Sequence, residues 1–565
     1  ALELARAAAR DFEAERLRAG TLTFQDLLMR AVAMLRASPE ARRFLGTRYR
    51  RLLIDEFQDT DPVQAEILFL LASAGGESGE RRASGGAARA QSGPAAGADG
   101  DADGVVEPGA WIDLAPRPGS LFVVGDPKQS IYRFRRADIE LYTFVRERFE
   151  RFGRVLRLDA NFRSLRPISG LVADVFDREE AFPREATPYQ APFAPLRVQR
   201  SDGHPAEGVY CYDLPDENRT EELVKADAKW IASWIVQRTG EGGDRAPGDF
   251  MILTRQRRHL AAYAGALEER GVPVAVSGAA LVESEEIDEV RVLLEALAHP
   301  DDPVRLTAAL VGLFFGLSFQ DLASHVRGGG RISLAAGAAD EAQPTDVSRA
   351  LAQIGVWTRW AREQPADVVV QRIVDETGLL ATAAARPLGS LRAGGLLYAL
   401  EAVRRAALDG NTSLAGALEA LQAAADATEA EAPLEPLRDD AVAVMNLHRA
   451  KGLEAPVVVL AAPVGERTRA VTRHVRRDRD DGDAVGGVVV TERRGWADAV
   501  LALPPGWEAL EAEERRFEAA EDVRLLYVAV TRARDELVVA RPGGKGRSPW
   551  GALDEWLEQH GKRLE

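Results

Sequence analysis

A chain of 565 residues is long enough for several domains rather than a single core. Its 46% hydrophobic and 28% charged residues are those of an ordinary soluble globular protein, and its one cysteine, Cys211, excludes a disulfide framework and a thiolate zinc cluster. The net charge of −16 excludes a protein coated in basic surface but leaves room for a local basic groove. No apolar run reaches membrane-spanning length and no signal peptide is present, so a cytoplasmic protein without a membrane partner is expected.

The opening ALELARAAARDFEAERLRAG has a helical pattern that stops near Gly20 and lacks an initiator Met. A fragment whose start lies upstream is expected. Thr23 reads as a helix cap with Asp26 three residues on. In RLLIDEFQDTDPVQ, the apolar Leu52, Leu53 and Ile54 predict a buried strand that runs into Asp55 and Glu56, and Asp61-Pro62 starts the next helix. The stretch from about 73 to 118 is rich in Gly, Ala and Ser and predicts a disordered insertion, with order returning at the strand LFVVGD, Leu121 to Asp126. Further short strands are expected at VLRLD near Val155, VYCYDL near Val209 and FMIL near Phe250, with helical segments between them. That alternation predicts parallel α/β layers. From 283 to 440 strands vanish and Ala/Leu-rich helical segments take over, which predicts a helical insertion. Strands return at AVAVMNL and APVVVLAA, and the last is ELVVA near Glu536.

Five stretches carry chemistry. At the carboxyl end of a parallel strand, Asp55 suits Mg²⁺, usually through water, and Glu56 suits orienting or deprotonating an attacking water. Equally, two acids there favour the N-terminus of the next helix. In VVGDPKQSIYRFRRAD, Gln129 can hydrogen-bond a γ-phosphate, and Tyr132 and Phe134 alternate with Arg133, Arg135 and Arg136. Aromatics interleaved with arginines suit a single-strand groove, and an edge strand with one charged face is the plainer alternative. In LDANFRSLRP, Phe162 can stack on a base, and Arg163 either reaches across a cleft or pairs with a carboxylate at the surface. In MNLHRAKGLEAPVVV, His448, Lys451 and Gly452 suit phosphate or strand contact and Glu454 suits a ribose hydroxyl; a plain link between two core strands fits as well. In EDVRLLYVAVTRARDELVV, a helix would place Leu525, Ala529 and Arg532 on one face, and an arginine on an apolar stripe needs a partner, either a nucleotide phosphate or a buried carboxylate.

Together DEFQD, GDPKQSIYRFRRAD, NFRS, HRAKGLE and LLYVAVTRAR resemble, in order and spacing, motifs II to VI of UvrD/Rep-type superfamily 1 DNA helicases. KQSIYRFR and TFQDLL look most like the RecB and AddA subunits of recombination nuclease-helicases, and HPDDPVRLTAALVGLFFGLS resembles that group's helical insertion. The resemblance implies an α/β fold of two RecA-like parallel-sheet lobes with ATP between them, the first lobe incomplete, and a helical insertion domain in the second. The boundaries it implies are 1–155 for the first lobe, 156–282 and 441–565 for the two parts of the second, and 283–440 for the insertion. It implies Mg²⁺ on Asp55, Glu56 as catalytic base, Gln129 coupling the γ-phosphate to the DNA site, and Arg163 and Arg532 on the γ-phosphate. Glu454 would meet the nucleotide and Phe162 its base. Tyr132, Phe134, Arg135 and His448 would meet DNA. The implied activity is motion 3′ to 5′ along one strand. The implied partners are single-stranded DNA, duplex DNA and a second helicase or nuclease subunit.

The sequence departs from that pattern. Asn446 and Leu447 stand where Thr and then Ile or Val usually precede the His, and Arg136 stands where a Gly usually ends the arginine run. A phosphate loop is missing: PGGKGRS near Gly543 lacks the GxxxxGK[ST] spacing. A nuclease domain is not expected within these 565 residues after the last motif. An ATP-driven helicase seen as an N-terminal truncation, with little ATPase activity of its own, is the leading expectation. A non-catalytic DNA-binding scaffold is the alternative that the missing loop supports, and a nucleotide switch unrelated to DNA is the third.

Overall fold

The computed structural model describes residues 2–73, 110–201, 206–216, 219–277, 285–334, 344–426, 439–465, 470–477, 484–494, 497–543 and 547–564. The chain begins with helices α1 (Leu2–Ala19), α2 (Phe24–Ala37) and α3 (Pro39–Arg48), then strand β1 (Leu52–Ile54), α4 (Pro62–Ser73), β2 (Leu121–Val123), α5 (Ile139–Phe152), β3 (Ala160–Asn161), α6 (Arg166–Phe176) and β4 (Arg197–Val198). Next come β5 (Gly208–Asp213), α7 (Thr220–Thr239), β6 (Phe250–Thr254), α8 (Leu260–Glu268) and β7 (Val274–Ser277). Helices α9 (Glu285–Ala298) through α16 (Leu414–Asp426) follow without a strand among the described residues. The chain then runs through β8 (Val442–Asn446), β9 (Ala455–Leu460), the hairpins β10 (Arg473–Arg477) with β11 (Ala484–Val488) and β12 (Val490–Arg494) with β13 (Ala497–Ala502), α17 (Trp507–Val530), β14 (Ala533–Arg541), α18 (Asp554–His560) and β15 (Lys562–Arg563).

Two compact units divide the chain. The first holds Ala1–Phe162, Ser169–Arg200 and Arg467–Val528, and the second holds Arg163–Ile168, Ser201–Glu466 and Ala529–Glu565.

In the second unit a parallel seven-stranded sheet runs in the order β15-β5-β14-β9-β6-β8-β7. Every residue of β6 and β8 is buried, as a parallel sheet covered on both faces requires. Ile231, Ile235, Tyr263 and Leu267 of α7 and α8 pack on Ile252, Val444, Val459 and Val538 of the sheet. Helices α9–α16 build a separate core around Leu294, Leu306, Ile354, Trp357 and Val370.

In the first unit the sheet is small. β1 and β2 pair in parallel, with Leu52, Leu53 and Ile54 opposite Leu121, Phe122 and Val123. One face of the pair packs Ile54, Leu121 and Val123 on Phe57, Phe69, Trp111 and Val145. Thr23 caps α2 through a capping box with Asp26, as its sequence predicts. Arg36 of α2 forks onto the buried Glu66 of α4 at 2.5 and 2.6 Å, fixing how the two helices cross.

Several expectations need correction. The strand at Leu52–Ile54 is not buried on both faces: Leu53 is 76% exposed and its neighbour Phe122 55%. The disordered insertion expected at 73–118 does not take in 110–118, where Ala110–Asp113 forms a turn of 3₁₀ helix whose Trp111 is buried against Phe69 and Phe144; residues 74–109, the rest of that expectation apart from Ser73 in α4, lie outside the described ones. VLRLD forms no strand: only its last residue meets one, the Asp159 carbonyl accepting the Arg197 N–H of β4 at 2.6 Å, and Leu156 and Leu158 are exposed. The four hairpin strands were not expected, and β15 follows the strand expected to be last.

Candidate functional site

In the first unit the site residues collect beyond the carboxyl ends of β1 and β2. Asp55 and Glu56 are both exposed, and the Glu56 backbone N–H donates to Asp55 Oδ1 at 2.8 Å. Glu56 sits in the left-handed region at φ 53° and ψ 39°, which a non-glycine residue adopts at a cost of roughly 1–3 kcal/mol. Gln58 holds it there. That side chain is fully buried; its Nε2 donates to Glu56 Oε2 at 2.5 Å and its Oε1 accepts the Asp126 N–H at 2.9 Å. Ser130 Oγ donates to the Gln58 carbonyl at 3.0 Å. Gln58 thus ties the acid pair after β1 to the loop after β2.

That loop is organised by Asp126, which accepts from Lys128 Nζ at 2.7 Å and from Gln129 Nε2 at 3.0 Å. Gly125 admits the close approach: a Cβ there would lie 2.6 Å from Gln58 Oε1. Beyond Ile131 the chain turns outward. Ile131 is fully buried, while Phe134 is 47% exposed, its ring 5.8 Å from that of Tyr132. The Arg135 guanidinium lies within 5.5 and 5.7 Å of the two ring centroids. Phe162, the last residue of its segment in this unit, is 74% exposed.

In the second unit Arg163, Glu454 and Arg532 come together. The NFRS segment is stitched to the start of β14 by Ser164 Oγ donating to the Ala533 carbonyl at 2.8 Å and Leu165 N–H donating to the Arg534 carbonyl at 3.0 Å. Arg163 pairs with the Glu454 carboxylate and reaches the Thr531 carbonyl at 3.4 Å, and Arg534 approaches Glu454 at 3.8 Å. The surface pairing weighed for Arg163 is therefore present, and its partner is itself a candidate site residue. Arg532, expected on the helix, lies instead in the turn between α17 and β14, because β9 claims the backbone there: Ala455 N–H donates to the Arg532 carbonyl at 3.1 Å. Its guanidinium is buried and donates to the Leu453 carbonyl at 3.1 Å, so a backbone oxygen shares the pairing role expected of a phosphate or a carboxylate. His448 lies in a 3₁₀ turn capped by Asn446, whose Oδ1 accepts the His448 N–H at 3.1 Å and whose Nδ2 donates to the Arg255 carbonyl at 2.7 Å. The departure to Asn at 446 thus supplies a cap.

Among the described residues no group of three or more His, Cys, Asp or Glu is placed to hold a metal ion. Mg²⁺ needs less, because it keeps several waters and binds through one or two carboxylates; the exposed Asp55 is a hard oxygen donor of that kind. No helix among the described residues is long and apolar enough to cross a membrane.

Residues 2–78 and 110–150 match the UvrD/REP helicase N-terminal domain, and residues 407–541 match the UvrD-like helicase C-terminal domain. These stretches are thus similar to the two domains of UvrD/REP-type helicases. The chain is 27% identical to the A subunit of the ATP-dependent helicase/nuclease of Anoxybacillus flavithermus, over 92% of its own length and 43% of the relative's. It is 26% identical to the proteins of the same name from Limosilactobacillus reuteri and Carboxydothermus hydrogenoformans, covering 94% and 95% of itself but 39% and 44% of them. It therefore spans less than half the length of these relatives. The UvrD/REP matches take in Asp55, Glu56, Gln129, Tyr132, Phe134, His448, Glu454 and Arg532; Phe162 and Arg163 fall outside both.

Sequence reasoning missed Gln58, Asp126 and Asn446. Asp126 reads only as the end of the strand LFVVGD, and its contact with Gln58 depends on the β1–β2 pairing.

Proposed function

We propose that this chain is the motor part of an ATP-driven DNA helicase or translocase that moves 3′ to 5′ on one strand. It works, on this reading, within a cytoplasmic helicase/nuclease, in the place its relatives' A subunits hold by name, with a second subunit beside it. The seven-stranded unit is read as one RecA-like lobe with a helical insertion domain, and the β1–β2 unit as part of another. Glu56 is the catalytic base, and its strained backbone held by Gln58 is the observation that carries the reading. Asp55 holds Mg²⁺, which when bound would neutralise charge on the phosphates. Gln129 senses the γ-phosphate, Arg163 and Arg532 contact it, Glu454 and Phe162 meet the nucleotide, and Tyr132, Phe134, Arg135 and His448 meet single-stranded DNA.

The phosphate loop comes, on this reading, from chain outside these 565 residues. What supports this is the open face of β1 and β2, since parallel strands are otherwise found covered on both faces. The alternative, a non-catalytic DNA-binding scaffold, is favoured by the lack of a GxxxxGK[ST] stretch in the sequence. The deciding measurement is DNA-stimulated ATP hydrolysis by a polypeptide that joins this chain to an upstream phosphate loop. Glu56→Gln should abolish turnover and spare ATP binding; turnover that survives it removes Glu56 from the role. No turnover in the unaltered polypeptide favours the scaffold.

A further inference from the structure

One face of α17 carries Glu514, Phe517, Glu521 and Arg524, spaced three, four and three residues apart, so the four side chains form a single stripe. All four reach the loop that follows β2. Arg133 forks onto Glu514 at 2.9 and 2.6 Å, and its guanidinium stacks 3.7 Å from the Phe517 ring centroid. The backbone N–H of Arg133 donates to Glu521 at 3.1 Å. Arg524, fully buried, donates through Nε to the Ser130 carbonyl at 2.6 Å and through Nη1 to Tyr189 and Gln190 at 2.7 and 2.8 Å. From the other side, buried His474 of β10 brings Nδ1 within 2.6 Å of Glu514.

Burial pushes the Glu521 carboxyl up, with Arg524 and Arg133 pulling it back. For Glu514, burial also works upward but is outweighed by the Arg133 hydrogen bonds and charge and by His474, leaving its carboxyl below the ordinary range. Helix α17 therefore grips this loop at Ser130 and Arg133, by backbone and by side chain. Between and beyond those two points sit the half-buried Tyr132 and the exposed Phe134.

We propose that Glu514, supported by Glu521 and Arg524, is a positioning residue: it fixes Arg133 inward so that Tyr132 and Phe134 are presented, already ordered, to stacked bases of single-stranded DNA. This rests on the reading of that loop as a DNA contact. A rigid loop binds more tightly than a floppy one because less is ordered on binding. The plainer role, a salt bridge that only fastens a helix, predicts lost stability with unchanged DNA binding. Simple electrostatics predicts the opposite sign, since removing a negative charge should tighten DNA binding.

The test uses the whole chain and a thymidine oligonucleotide carrying 2-aminopurine, whose fluorescence reports stacking. Phe134→Ala should weaken binding roughly 5- to 150-fold, the worth of one stacked base. Glu514→Gln should weaken it about fivefold or more, reduce the stacking signal, and add little to Phe134→Ala, because both act through one loop. Unchanged affinity and stacking in Glu514→Gln, or full additivity with Phe134→Ala, overturns the positioning role while leaving the loop as a DNA contact. If Phe134→Ala itself changes nothing, the DNA reading fails first and the proposal with it. Should Glu514→Gln not fold, Arg133→Lys keeps the charge but loses the fork, and the same criteria decide.

Discussion

The seven-stranded sheet of the second unit and the β1–β2 pair of the first are both parallel, yet only one is enclosed. Strands β6 and β8 carry side chains that are buried on both faces, under α7 and α8 among others. Leu53 and Phe122 lie side by side on an exposed face, while Leu52, Ile54, Leu121 and Val123 on the other face are partly buried. Strand pairing and strand burial are therefore separate achievements: the β1–β2 ladder and the loops after it hold the acid pair and Gln129 in place with half the enclosure that a parallel sheet usually has.

The contrast is tested most severely in the enclosed sheet. Ile252 is fully buried in β6, and Ile252→Ala should destabilise the second unit by about 2–5 kcal/mol through lost burial and a residual cavity. A urea midpoint that does not move would mean the sheet is looser than it looks.

A pH titration separates the units next. Asp227 of α7 is fully buried and accepts from Tyr212, from Tyr263 at 2.5 Å and from the Ala462 N–H at 2.7 Å. Burial raises its carboxyl to about 6 against an ordinary 3.8, with those three donors opposing the rise. The folded form thus binds the proton more tightly than the unfolded one between these values. The contribution of Asp227 to stability is largest below about pH 4 and is lost as pH rises to about 6, a change of about 3 kcal/mol. Asp227→Asn should remove that slope from the unfolding free energy of the second unit, and a variant with the parent's pH dependence would show that the proton sits elsewhere.

What was legible in the sequence follows the same division. GVYCYD, FMILT, VAVMN and APVVVL stood out because strands buried on both faces or nearly so leave continuous apolar runs. The hairpin β10–β11 did not, because its Val475 and Val488 are exposed and stand among arginines and glycines, which gives no such run. The acid pair was legible as chemistry, but Gln58 as its brace was not, since the brace exists only once Val124 N–H meets the Ile54 carbonyl and brings Asp126 beside it. Arg532 was misplaced onto a helix because a 3.6-residue pattern continues through TRAR; pairing of Ala533 with Ala455 breaks it.

Between the extremes lies Gly125. Gly125→Ala puts a Cβ 2.6 Å from Gln58 Oε1 and 3.1 Å from the Tyr142 ring, and should cost about 1–3 kcal/mol by overpacking. Because Gln58 is the side chain pushed, the same substitution should impair ATP turnover in a phosphate-loop-bearing polypeptide beyond what the lost stability explains. Equal losses of stability and turnover would deny Gln58 its bracing role.

The smallest effect is expected at Leu53. With its side chain 76% exposed, Leu53→Ser should change the stability of this chain by less than about 0.5 kcal/mol and reduce any tendency to self-associate. The same substitution in a polypeptide whose further segments cover β1 and β2 should cost about 2–4 kcal/mol, since a covered leucine loses its burial and leaves a polar hydroxyl in its place. A substitution that is silent in one context and severe in the other marks that face as the place where the rest of the sheet is built. If it is silent in both, β1 and β2 are an edge pair in the longer protein as well, and the phosphate loop must be sought elsewhere than beside them.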